Sequence, residues 1–176
     1  LADSEEKTSM KAARGIGIFG LCARAFLCAA AIVAVLSGPA ASQARLLKGQ
    51  TVYVPAYSHI YHGDREAPFY LTVTLSVRNT DAAHPITITA VDYFDSEGKK
   101  VRSYLEKELE LPPLGSLRYV VKESDKTGGA GAKFLVGWKS NVGVVEPIIE
   151  AIMVSTQTQQ GLSFTSRGKA VSEVVE

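Results

Sequence analysis

Cysteine is nearly missing from this chain. Two of 176 residues are cysteine, Cys22 and Cys28, and both fall in the N-terminal quarter. Nothing after Cys28 can close a disulfide, supply a thiolate ligand to zinc or act as a thiol nucleophile, so packing must hold the body together. An excess of one charge is missing too: 19 Lys and Arg face 18 Asp and Glu. That balance excludes the basic stripe of a nucleic-acid binder and the acidic tail of a solvating chain. Histidine occurs three times and tryptophan once. The main apolar run, Ala25 to Leu36, is twelve residues, short of the roughly 20 that span a bilayer. Neither GxSxG, HExxH, CxxC nor GxxxxGK[ST] occurs, which removes the motif-bearing hydrolases, zincins and P-loop proteins.

What is present at the N-terminus is an export pattern. Met10 opens "MKAARGIGIFGLCARAFLCAAAIVAVLSGPAASQA". Lys11 and Arg14 give the positive end, the run to Leu36 gives the apolar segment, and Ser42 and Ala44 put small residues at −3 and −1 of a cut after Ala44. Extending the apolar segment back to Gly15 would bury Arg24 in lipid at a cost of a few kcal/mol. Leu27 before Cys28 is too bulky for a lipoprotein signal. The expected organisation is residues 1–9 as a disordered leader or misassigned start, 10–44 as a signal peptide, 45–168 as a β-sandwich domain, and 169–176 as a disordered tail. Both cysteines leave with the leader. The expected location is periplasmic or secreted.

After residue 44 the pattern is all β. In "FYLTVTLSVRNT", Leu71, Val73, Leu75 and Val77 alternate with Thr72, Thr74, Ser76 and Arg78, the period of two of a half-buried strand. "TVYVPAYS", "ITITAVDYF", "SLRYVVKE", "KFLVGWKS", "PIIEAIMVSTQT" and "LSFTSRG" also read as strands. The turns fall at "DSEG", "PPLG" and "QQG", and "SDKTGGAGA" reads as a flexible loop. "KKVRSYLEKELEL" reads as a strand that bends, although "YLEKELEL" has the look of a short helix. Trp138 between aliphatic neighbours is a core anchor. This predicts an antiparallel immunoglobulin-like β-sandwich of about seven to eight strands, preceded by an N-terminal signal helix, with a small barrel as the other arrangement.

Three blocks carry a resemblance: "GQTVYVPAYSHIYHGD", "LTVTLSVRNTDAAHPITITAVDYFDSEGKKVRSYL" and "QQGLSFTSRG". Together they resemble an uncharacterised bacterial secreted family catalogued as domain of unknown function 3124, from about Gly49 to Gly168. The resemblance implies an exported single domain without an assigned activity. The middle block also looks like one hairpin of the immunoglobulin-like domains of accessory surface proteins, a likeness of architecture that gives no function.

Four sets of residues invite a functional reading. "YSHIYHGD" holds His59, His62 and Asp64. If the chain turns at Gly63-Asp64, these three, with His84 from a nearby loop, could share a divalent transition metal. On a straight strand, residues three apart point to opposite faces, and the segment is then a polar turn with aromatic anchors. "KTGGAGAK" is glycine-rich, but no helix pattern follows it, so a hairpin loop is the simpler reading. Asp92 with Asp95, or Glu146 with Glu150, are the carboxylate pairs a glycosidase would need, although proximity in sequence says nothing of separation in space. "STQTQQGLSFTSRGK" gathers Gln157, Gln159, Gln160, Ser163, Thr165 and Arg167. Such a face can bind carbohydrate or peptide, with Arg167 gripping a carboxylate; it can equally be a solvated sheet.

The expected function is an exported, non-catalytic module that binds or supports an envelope protein or glycan. It is expected to need no cofactor and to meet the membrane only through its leader before cleavage. A metal-binding protein built on His59, His62 and Asp64 is the alternative, and a hydrolase the third.

Overall fold

The computed structural model describes residues 45–156 and 161–175. The signal segment and its cut after Ala44 lie outside the described residues, as do Gln157, Gln159 and Gln160. The described chain is all β with antiparallel pairing, in twelve strands. These are β1 (Leu46–Pro55), β2 (His59–His62), β3 (Ala67–Tyr70), β4 (Thr72–Arg78), β5 (Ile86–Phe94) and β6 (Lys100–Ser103), followed by β7 (Leu109–Leu111), β8 (Ser116–Val121), β9 (Lys133–Val145), β10 (Ile148–Ser155), β11 (Leu162–Arg167) and β12 (Lys169–Val175). One sheet runs β12-β1-β9-β5-β6, with β7 also on β5; a second runs β11-β10-β4-β8; β2 and β3 form a separate hairpin.

The sequence led us to expect seven or eight strands, and twelve are found among the described residues. The extra ones arise where long runs break. The run from Phe69 to Thr80 divides at Leu71 into β3 and β4, and "KKVRSYLEKELEL" divides into β6 and β7 on the same edge of β5. The "YLEKELEL" segment is not helical, because its two ends are claimed by ladder bonds to β5.

The inward faces of the two sheets make one apolar cluster. Val52, Val54, Val91, Tyr93, Phe134, Val136 and Trp138 come from the first sheet. Val73, Leu75, Val77, Val121, Ile149, Ala151 and Met153 come from the second. The alternation seen in "LTVTLSVR" is therefore real burial, and each such aliphatic side chain contributes about 1.5–3 kcal/mol on leaving water. In β5 the inward set changes parity, from Ile86 and Ile88 to Val91 and Tyr93. A bulge between Ile88 and Ala90 inserts the extra residue that causes the change.

Two features differ from expectation. Residues 169–175, expected to fray, form β12 on the open edge of β1. Buried Gln50 explains the hold. Its Oε1 accepts from Trp138 Nε1 at 3.1 Å, and its Nε2 donates to Glu146 at 3.0 Å and to Glu173 at 3.2 Å. Arg45 pairs with Glu173 at 2.7 Å. The glycine-rich loop, expected to be flexible, is pinned. Ser58 N donates to Gly129 O, Ala56 N to Ala132 O, and Ser96 Oγ to Gly128 O. Glycine is needed at 128, because a Cβ there would lie 1.9 Å from the Tyr93 hydroxyl. That buried hydroxyl shares a 3.0 Å hydrogen bond with Ser58 Oγ.

Between β4 and β5 the residues "NTDAAHP" form an ordered corner. Asn79 Nδ2 donates to the carbonyls of His84, Leu111 and Pro112. Asn79 N donates to Gly115 O, and Leu114 N to Asp81 O. The corner therefore ties the end of β4 to the start of β8, and so fixes the register that faces Arg78 with Ser116.

Candidate functional site

The histidines come first. His59 and His62 lie on one straight strand, β2, whose partner is β3. The His59 ring sits edge-on to Tyr61 and Tyr70 at 5.0 and 5.9 Å, while the His62 ring meets Phe69 at 6.0 Å. The two rings are thus on opposite faces of the hairpin, as the strand period requires. The turn at Gly63 comes one residue too late to bring them together. His59 Nε2 shares a 3.1 Å hydrogen bond with Tyr61, and its Nδ1 is enclosed with no partner among the described residues. His84 is elsewhere, with Nδ1 3.2 Å from Asp81 in the β4–β5 corner. His59, His62, Asp64 and His84 therefore do not form the shared site expected of them. Among the described residues, no group of three His, Cys, Asp or Glu side chains is placed to hold a metal ion.

The carboxylate pairs are occupied separately. Asp92 on β5 accepts from Lys100 Nζ of the neighbouring β6 at 2.9 Å, and Asp95 caps its turn by accepting from Lys99 N at 2.8 Å. Glu146 serves Gln50, whereas Glu150 lies on the outer face of the second sheet, opposite Ser76 and Arg167. Gln159 and Gln160 lie outside the described residues. Ser163, Thr165 and Arg167 do share one outward face, set against Val154, Ile152 and Glu150 of β10.

That face holds a shallow groove of about 620 Å³. β4 contributes Thr74, Ser76 and Arg78; β8 contributes Ser116 and Arg118; β10 contributes Ile148 and Ile152. The rows follow from register. Arg167, Glu150, Ser76 and Arg118 line up across the four strands, and Ile148, Arg78 and Ser116 form the next row. Arg78 and Arg118 are diagonal neighbours, with Cα atoms about 7–8 Å apart. Arg78 Nε donates to Ser76 Oγ at 3.2 Å, which aims its side chain along the groove. Among the described residues, neither Arg78, Arg118 nor Arg167 has a carboxylate within ion-pair distance, although Arg45, Lys100, Arg102 and Lys139 elsewhere do. Three guanidinium groups and one carboxylate leave the face positive, on a chain whose charges otherwise balance.

Reading the sequence found one side of this face, Arg167, and missed Arg78 and Arg118. Each stands at a polar position of an amphipathic strand and by itself reads as a solvated side chain. The available signal was that both alternate in phase with Thr74, Ser76 and Ser116. What brings them together is the β4–β8 pairing across about forty residues, which no local pattern reveals.

A buried carboxylate beside the groove is structural. Asp81, 8% exposed, accepts from Ala83 N and His84 N at 2.9 Å and from Val145 N at 3.3 Å. The Ala83 amide leads in stabilising the carboxylate; against the opposing effect of burial, it and the other donors hold the pKa down at about 2.

Comparison with known proteins gives a family and little else. No curated protein matches the chain. The solved structure described as "Crystal Structure of Thermotoga maritima 1070" is similar at 16% identity, over 68% of this chain and 92% of that chain, with a TM-score of 0.41; at that distance the likeness carries no argument. The family described as "Protein of unknown function (DUF3124)" matches residues 49–171, from within β1 to within β12, and the chain belongs to that family.

Proposed function

We propose that this protein is an exported, non-catalytic immunoglobulin-like β-sandwich that holds an envelope protein on the outer face of its four-stranded sheet. The observation that carries the proposal is the groove over β4, β8 and β10, with Arg78, Arg118 and Arg167 on one face and no carboxylate partners for them among the described residues. An unpaired guanidinium keeps its bidentate donor fork available to a partner. The leader pattern of residues 10–44 supports export to the periplasm or beyond. Glycan is the competing occupant of the same face.

The test is site-specific photo-crosslinking in intact cells. A photoreactive side chain in place of Thr74, inside the groove, should give one discrete protein adduct. The same group in place of Val142, exposed on the other sheet, should not. Combining Arg78→Glu with Arg118→Glu should abolish the adduct, and the recovered protein should begin at Arg45. Equal labelling from both positions, or none from Thr74, refutes the docking face; a chain that keeps residues 10–44 refutes processing.

A further inference from the structure

We infer that the groove is built for an acidic, extended stretch of polypeptide with an aliphatic residue beside its carboxylates. The inference rests on the docking face proposed above and narrows its occupant to one chemistry. The first argument is charge. Arg78 and Arg118 place two cations on diagonal positions of adjacent strands, with no counter-charge in ion-pair range among the described residues. Carboxylates seated between them would relieve that repulsion and satisfy both donor forks.

The second argument is spacing. Diagonal neighbours stand about 7–8 Å apart, and alternate residues of an extended chain are about 6.7 Å apart on one side. Carboxylates at positions i and i+2 of a bound strand therefore reach one arginine each.

The third argument is the rest of the lining. Ile148 lies in the same row as Arg78 and is 45% exposed, and Leu114 at the groove's end is 68% exposed. These give an aliphatic side chain a surface to cover. Thr74 and Ser116 offer hydroxyls to backbone amides. Among the described residues, no aromatic side chain lines the groove, so they offer no ring-stacking platform of the kind sugar rings and bases use.

The experiment measures binding of fluorescein-labelled Leu-Ser-Glu-Ser-Glu-Ser-amide to the full-length protein as purified. Its Gln-for-Glu counterpart and tri-galacturonate serve as the other two probes. The acidic peptide should bind, with affinity falling between 50 and 500 mM salt on the order expected of screened ion pairs. Arg78→Gln with Arg118→Gln should weaken it about tenfold or more. Ile148→Ser should weaken it less and leave the salt dependence unchanged. Arg45→Gln, just before β1 of the other sheet, should have no effect. Trp138 fluorescence verifies that each variant is folded. Equal affinity for the Gln peptide, or tighter binding of tri-galacturonate, overturns the acidic-peptide assignment. If the Thr74 adduct forms while no peptide binds, only this inference fails; if neither is seen, the docking face fails with it.

Discussion

Asp81 should contribute an acid-sensitive part of this fold's stability, and Asp81→Asn should remove that part. In the folded chain the carboxylate is met by three backbone N–H groups and by the ring of His84. Its pKa is lowered from 3.8 to about 2, with the Ala83 amide the leading cause. A depressed acid stabilises the fold while it is ionised in both states. That contribution is complete above the unfolded pKa and is lost as pH falls from about 4 through 2. A carboxyl moved from 3.8 to about 2 corresponds to about 2 kcal/mol. The neutral amide of Asn keeps one acceptor but turns a donor toward the same N–H groups. The Asn variant should therefore be about 2 kcal/mol less stable at pH 6. The gap should shrink by about half near pH 3 and nearly vanish by pH 2. Urea unfolding followed by the fluorescence of Trp138, the single tryptophan, measures both proteins at each pH. Titrating groups distant from the corner are common to the two chains and cancel in the difference, and running both proteins on a His84→Gln background removes the titrating ring that touches Asp81. A gap that stays constant from pH 6 to pH 2.5 would falsify the assignment of the corner's strength to an ionised Asp81.

Two further outcomes test the packing. Gly128→Ala places a methyl against the Tyr93 hydroxyl and should cost about 2–3 kcal/mol. Adding Tyr93→Phe should recover part of that loss rather than add to it, and simple additivity in a double-mutant cycle refutes the contact. Deleting residues 169–176 should lower the urea midpoint and promote self-association, because it bares the whole ladder edge of β1. Light scattering that shows an unchanged monomer with an unchanged midpoint would make β12 dispensable.

The strands were legible wherever one face is wet and the other dry. "LTVTLSVR" and "KFLVGWKS" announce their inward residues by alternation, and Val73, Leu75, Val77, Phe134, Val136 and Trp138 are all buried. The tail "KAVSEVVE" was misread because β12 buries little on either face, with Val171, Val174 and Val175 all exposed. Its hold comes from ladder bonds to β1 and from Gln50 and Arg45 reaching Glu173, contacts between residues more than a hundred positions apart. The loop "SDKTGGAGA" was misread for a related reason: its glycines suggest freedom in isolation, but here they admit Tyr93 and Ser96 at close range. For the groove, the sequence showed a polar side to each strand and gave no means of telling which polar sides would adjoin.

The step from β11 to β12 takes a single residue, Gly168, and crosses from one sheet to the other. A Cβ there would lie 2.5 Å from Val52 and 2.8 Å from the carbonyl of Ile149, so the backbone itself threads the seam. Under tension applied at residue 175, β12 would come away from β1 one rung at a time, like a zip. At Gly168 the rungs on β1 end, and the next ones lie in the other sheet, where β11 is paired to β10, so the pull would have to open a second ladder. This single glycine therefore acts as a mechanical stop, and a traction experiment on single molecules should record a brief plateau there before the body gives way.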